Sequence, residues 1–518
     1  MRPNPARRVT GLETEFAVVC APIRQAGAGQ TERTVGTDQA RHAPDAEQAP
    51  RLPSVEEAAA FLFRHRPQGY RGDNLFLTNG GRLYLDIGSH PEYATAECVR
   101  VRDLVAQDQA GRELLASMAG EATATLSRQG LRARLHVMAN NADSAGNTYG
   151  CHESYSVPRR LDEASLLPTL AAFLATRPVL VGTGVALTGT GAARGEGDEA
   201  DAWGLSPRAP YLHSTSSADT TGERALVNTR DEPHADPAKL RRLHVTCADT
   251  TMAEPTAGLR SALTLLLLDA LEAGEDFSDL QLADPLATLN ALGTSPWGDV
   301  PAPTVAGRKL TAVDIQEEFL TRLLARMDAT GTPQFLDGAE HLVTGLAPRV
   351  IAALRQRDTS GIDTEIDWAI KRRILTALRQ RHPQLAGQTL QAQRSRVDLA
   401  YHDLDAQTGL WRLLRAQGAM ASLCTAGEVE RALTRAPSTR AALRGQFVAA
   451  CLEKSADFSV SWDNLRLDSP PTTPVDLPDP LATSDDRAEA LIAKVRAMSH
   501  ADVKKIDEAG YNGLGVPG

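Results

Sequence analysis

The sequence predicts an α+β protein, on three observations. First, Asn79-Gly80 lies between two alternating apolar runs, Asn74–Thr78 and Arg82–Ile87. An Asn-Gly pair in that setting marks an antiparallel hairpin, because both residues tolerate the positive φ of a type I′ turn. Second, further runs of alternating character (Val9–Cys20, Ala133–Met138, Arg241–Cys247) read as strands, interrupted by the long helical pattern Arg102–Gln129. Third, from Val313 the chain becomes mostly helical, and from about Ala419 its texture changes to a small helical unit.

The composition excludes several classes. The chain has 518 residues, with 55 basic against 65 acidic, for a net charge of −10. That balance argues against nucleic acid or an anionic membrane as the main partner. The densest apolar run, Leu263–Leu268, is far short of a membrane span of about 20 residues. The basic N-terminus has no apolar segment of the kind a secretory signal needs. Cys20, Cys98, Cys151, Cys247, Cys424 and Cys451 are widely spaced without a CxxC pair. This is neither a disulfide framework nor a zinc signature, and it suits a reducing cytoplasm.

Val9–Cys20 reads as one strand, with Glu13 and Glu15 on one face and Leu12, Thr14 and Phe16 on the other. Two carboxylates on one face repel unless they are solvated or bridged by a cation, and hard divalent ions take such oxygen ligands. Ala21–Pro53 has no periodicity and reads as a flexible insertion. Ser54-Val55-Glu56-Glu57 is a capping box opening a helix over Val55–His65. In the hairpin's second strand, Leu83, Leu85 and Ile87 face a core, while Arg82, Tyr84 and Asp86 share the other face. Glu92, Thr95 and Glu97 follow within a dozen residues. A cation, a phenol and a carboxylate on one face suit a site for a polyanion, a hard metal and a proton acceptor. They equally suit a half-exposed strand with a surface ion pair, and spacing alone does not decide.

Asn140–Tyr155 starts as a loop and delivers His152 and Glu153 on the next strand, as site residues or as hydrogen-bonded structural ones. Cys151 beside His152 reads as a small buried hydrophobe rather than a nucleophile. Gly182–Gly197 matches neither G-x-x-x-x-G-K-[ST] nor G-x-G-x-x-G and reads as a loop with an insertion. In Leu226–Asp236, Pro233 fixes a turn that concentrates Arg230, Asp231, Glu232 and His234. Arg230 is placed there to grip phosphate or carboxylate, or to join an ion-pair network, with His234 a weaker candidate. Gly258–Glu272 is a buried Leu-rich helix, and Gly293–Pro303 is a loop. Helices follow at Val313–Met327, around Ala339–Gln356 and at Glu365–Gln380, with Trp368 as packing. Gly427–Leu433 and Thr439–Lys454 read as helices, and Phe458–Leu467 as extended.

Three motifs, GLETEF, RLYLDIGSHPEYATAEC and NTRDEPHAD, closely resemble the Pup–protein ligase family, and the likeness runs from about Gly11 to Ala497. That family belongs with the Pup deamidase/depupylase to the glutamine synthetase-like carboxylate–amine ligases. The resemblance implies a large glutamine synthetase-like domain (residues 1–418) with a curved antiparallel sheet cradle. A small C-terminal α-rich domain (419–497) would cover the nucleotide, and 498–518 would be a mobile tail. It implies a ligase that uses ATP and Mg²⁺ to activate the C-terminal Glu of Pup and join it to a lysine of a target protein, marking the target for the proteasome. Glu13, Tyr84 and Glu92 would be metal ligands. Arg82, Thr95 and Trp462 would contact ATP, Arg230 would meet the nucleotide phosphates or the substrate carboxylate, and Arg440 and Arg444 would contact phosphate or Pup. Asp86 would be the catalytic base. The expected enzyme is cytoplasmic and monomeric.

GLETEF and LDIGSHPEYATAEC lie nearer the ligase branch than the depupylase branch, whereas the Ala21–Pro53 insertion leans toward the depupylase. Two other readings carry less weight. One is a ligase for small amino acids, and the other is a non-catalytic Pup- or nucleotide-binding relative.

Overall fold

The computed structural model describes residues 8–23, 51–86, 88–143, 146–187, 203–219 and 222–499. Most of the Ala21–Pro53 insertion, most of the Gly182–Gly197 loop, Ile87 and the 500–518 tail lie outside the described residues.

An eight-stranded sheet organises the fold. In chain order its strands are β1 (Thr10–Glu15), β3 (Asn74–Phe76), β4 (Arg82–Asp86), β5 (His90–Ala94) and β7 (Cys151–Pro158), then β10 (Ser214–Ser217), β11 (Ala225–Asn228) and β12 (Leu240–Ala248). Their spatial order is β10-β11-β12-β7-β1-β5-β4-β3, and every pairing is antiparallel except β10 with β11. β2 (Ala17–Pro22) and β6 (Ala133–Met138) form a separate antiparallel pair, as do the short β8 (Val185–Ala186) and β9 (Trp203–Gly204).

Val9–Cys20 is therefore two strands rather than one. Phe16 breaks the run: its N–H donates to the Pro91 carbonyl at 2.8 Å, and beyond it the chain leaves the main sheet to pair with β6. In β1 burial alternates strictly, with Gly11, Glu13 and Glu15 on the accessible face. The hairpin forms where expected but turns differently. Leu77 N–H donates to Gly81 O and Gly80 N–H to Leu77 O, and Gly80 takes φ +80° while Asn79 does not turn positive. That is a three-residue loop, a type I turn closed by a left-handed glycine. Asn79 is free to work elsewhere: its amide donates to Tyr93 Oη and to the Ala432 carbonyl, anchoring the turn in the interior.

The opposite face of the sheet is covered by helices. Val101–Arg128 is the longest of them, and Glu254–Glu272 is nearly fully buried. Their cores hold Leu83, Tyr93 and Leu115 on one side and Leu226, Val245 and Leu263 on the other. The stretch Glu163–Val181 is long and apolar enough to cross a membrane by composition, yet 72% of that window is buried within the protein. Arg177 within it pairs with Glu153, both fully enclosed. This settles Glu153 as a structural ion-pair partner on the core side of β7, one residue from His152 on the other face. Cys151 is likewise buried on the core side.

Ser54 caps Val55–Phe63 with both arms of the capping box in place. Trp368 is fully buried, as expected of a packing residue. The helix Ala426–Thr434 sends Val429 and Ala432 into the main core. A separate core begins at Leu443. It comprises the helix Arg440–Lys454, a three-stranded sheet of Phe458–Val460, Asn464–Leu467 and Val475–Asp476, and the helix Asp486–Ala497. The stretch Phe458–Leu467 is thus a hairpin, turning at Ser461–Asp463.

Candidate active site

Residues directly opposite in an antiparallel pair share a face. Glu15 opposes Glu92, and Glu92 opposes Tyr84, forming one row across β1, β5 and β4. A second row runs Phe76, Arg82, Ala94, Glu13, His152 across five strands. Asp86 opposes His90 at one end, and His244 opposes Ser154 on the far side of Glu13. Alternation on single strands thus becomes, through register, one continuous polar floor.

Two clusters of ligand-type atoms stand on it. In the first, the oxygens of Glu15, Asp86 and Glu92 lie within 4.8 Å of one another. Glu92 is 4% exposed, and burial together with the Glu13 and Glu15 charges pushes its carboxyl well above the usual range. Its hydrogen-bonded neighbour Tyr84 is held as a neutral phenol by burial and by the charges of Glu13 and Glu92. Glu92 thus stands among Glu13, Glu15, Asp86 and the Tyr84 phenol, oxygen donors of the kind a hard divalent cation takes, so the floor around Glu92 fits Mg²⁺.

In the second cluster, Glu13 Oε2 lies 3.7 Å from His152 Nδ1, 3.6 Å from His244 Nε2 and 3.1 Å from Arg242 Nη2. Burial opposes ionisation of Glu13, but the contacts with His152, His244 and Arg242 prevail and hold it well below the usual carboxylate range. Burial, with Arg242 and His152 adding to it, pushes His244 down to about 4, so its imidazole is neutral at pH 7. Glu13 and Glu92, expected together as ligands with Tyr84, therefore lie in adjacent clusters with different neighbours.

Next to Glu13 a cavity is lined by Gly11, Thr95, His234, Arg242 and Trp462 among others. Thr95 is buried, and its Oγ1 accepts from Leu12 N–H at 3.0 Å. Trp462 meets Phe76 edge-on at 5.2 Å, with the Arg444 guanidinium 4.9 Å from its ring centroid. This places a flat indole at the cavity wall, a face on which a planar ring can stack. Arg82 donates from Nε to Asn74 Oδ1 at 2.8 Å and lies 4.0 Å above the Tyr84 ring.

The remaining expected contacts are placed differently. Arg440 lines the cavity, but each of its three nitrogens donates within the protein, to Glu97, to Leu477 O and to His234 O. Arg444 is fully buried and binds Glu97, Gly80 O and Trp462 O. These two cations clamp the C-terminal unit onto the sheet through Glu97, whose carboxyl they hold down at about 2 although burial alone would raise it. Arg230 is 56% exposed, pairs with Glu232 at 2.8 Å and does not line the cavity. Glu15, read from the sequence with Glu13 as a carboxylate pair that a cation could bridge, joins Asp86 and Glu92 instead, whereas the sequence did not single out Arg242 and His244. The alternation along Leu240–Ala248 carried the signal for the last two, since Arg242 and His244 are two residues apart.

The family model for Pup-ligase proteins matches residues 8–466. The chain belongs to the Pup–protein ligase family. It is 40% identical to the Pup–protein ligase of Xylanimonas cellulosilytica, over 94% of this chain and 99% of that one. It is 37% identical to that of Sanguibacter keddieii, over 94% and 99%. Among solved structures it resembles the Pup ligase PafA in complex with Pup, with a TM-score of 0.81, 29% identity, and 99% and 98% of the two chains covered. It also resembles PafA in complex with ADP, with a TM-score of 0.74, 31% identity, and 91% and 99% covered. The α+β fold is that of the Pup ligases, and the chain is a ligase rather than a depupylase.

Proposed function

We propose that this Pup ligase uses ATP to phosphorylate the side-chain carboxylate of the C-terminal Glu of Pup, then joins the acyl group to a lysine ε-amine of a target protein. The observation that carries this reading is the meeting of the Glu15, Asp86 and Glu92 oxygens on the floor next to Glu13, which itself lines a cavity walled by Thr95 and Trp462.

Forming an amide in water from a carboxylate is uphill, so the carboxylate must first be activated. A carboxylate oxygen attacks the γ-phosphorus, the bond to the bridging oxygen breaks, and ADP leaves with the electron pair. The lysine nitrogen then attacks the acyl carbon, loses a proton to Asp86 and expels inorganic phosphate. Phosphoryl transfer of this kind depends on positioning and charge neutralisation. Mg²⁺ held by Glu13, Glu92 and the Tyr84 phenol would supply that neutralisation. Asp86 is exposed, at the end of β4, and so within reach of an incoming lysine. Arg82 and Thr95 would orient the nucleotide. We expect a cytoplasmic monomer whose products are marked for the proteasome.

Purified protein with ATP and Mg²⁺ tests this in two tubes, one with Pup ending in Glu and a lysine-bearing target, the other with Pup ending in Gln. Conjugation with ADP release in the first and no ammonia in the second is the expected result. Deamidation without conjugation would overturn it. For the metal, Glu92→Gln replaces a carboxyl whose ionisation burial, Glu13 and Glu15 oppose, so the metal-free protein should be no less stable. Mg²⁺ affinity should fall at least about tenfold. An unchanged Mg²⁺ titration in the variant would remove Glu92 from the ligand set.

A further inference from the structure

The cavity beside Glu13 needs a cation for the phosphates of a nucleotide, and its arginines are not equivalent. Among the described residues, Arg440 and Arg242 are the arginines that line it. Arg440 is committed through all three nitrogens to Glu97 and two carbonyls. Arg230 lies outside the cavity with Glu232, and Arg82 rests on Asn74 and the Tyr84 ring. Arg242 projects from the polar face of β12 and is 16% exposed. It donates from Nε to Ser154 Oγ at 3.0 Å and from Nη2 to Glu13 Oε2 at 3.1 Å.

We propose that Arg242 is the guanidinium that grips the transferring phosphate of the bound nucleoside triphosphate. This rests on the reading of the chain as an ATP-dependent ligase. The Glu13–Arg242 contact is a resting arrangement: Glu13 is also a candidate metal ligand, and one carboxylate oxygen cannot satisfy both a divalent cation and a guanidinium at full strength. With nucleotide and metal bound, Glu13 would serve the ion and Arg242 would be released to a phosphate oxygen. Ser154 holds the guanidinium on the floor throughout. A planar, always-charged fork is suited to this task, and a lysine replaces it only in part.

The test measures affinities for ATP, ADP and AMP, each with Mg²⁺, for the unsubstituted protein, Arg242→Gln and Arg242→Lys. A charge-assisted contact to the terminal phosphate predicts a loss of about 10- to 100-fold for ATP in Arg242→Gln. AMP and ADP affinities should stay within about twofold, and Arg242→Lys should fall between. Equal losses for ATP and AMP would mean that Arg242 only shapes the cavity, and equal losses for ATP and ADP would place it away from the transferring group. Either result, or unchanged ATP binding, overturns the assignment. An unsubstituted protein that binds ATP but never conjugates Pup would instead overturn the ligase reading and leave this one standing.

Discussion

Asp86→Asn is expected to bind ATP with little change in affinity and to form almost no isopeptide product. Asp86 is exposed at the end of β4, so the substitution removes no core contact and the fold should persist. Asn keeps the shape and cannot take the proton that the attacking lysine must lose. General-base catalysis contributes about 10²–10⁴-fold, so turnover should fall by that much. Raising the pH, which deprotonates the lysine in solution, should recover part of the loss. Isopeptide formation by the variant at the unsubstituted rate would remove Asp86 from the role of base.

Glu97→Ala should have the largest effect on architecture. It strips the shared carboxylate from Arg440 and Arg444, whose side chains are 3% and 0% exposed. Removing one partner of a buried ion pair leaves an uncompensated charge and costs about 3–5 kcal/mol. The loss should be local, because the clamp joins the C-terminal unit to the sheet. Amide protons of Arg440–Lys454 should exchange faster, and ATP should bind more weakly as Trp462 loses its Arg444 support. Unchanged protection in that helix would contradict the clamp. The pH dependence has a definite sign. Glu97 is held at about 2, below its unfolded value, so its contribution is present above the ordinary carboxylate range and is lost as pH falls toward 2.

The sequence made the hairpin, the Ser54 capping box and the polar faces of β1 and β4 legible, because each is written in local alternation or spacing. Register was not. Which strands neighbour β1, and hence that Glu15 faces Glu92 while Glu13 faces His152, follows from pairings across about 80 to 140 residues that no local pattern encodes. Arg440 illustrates the same limit. A helix-terminal arginine near a nucleotide site suggests a phosphate contact, but its fate was decided by Glu97, 343 residues away in the chain. Glu153 had the same ambiguity, and Arg177 resolved it. The turn at Asn79 departed from type I′ because its amide is drawn inward to Tyr93 and Ala432.

Activation of a carboxylate by phosphorylation on this floor leaves an isotopic trace. It is tested most directly by labelling the C-terminal Glu side chain of Pup with ¹⁸O and following the isotope through one round of conjugation. An acyl phosphate intermediate requires one labelled oxygen to leave in inorganic phosphate, with ADP unlabelled. Label in the phosphate is the expected result. Conjugation that leaves the phosphate free of ¹⁸O would contradict the account.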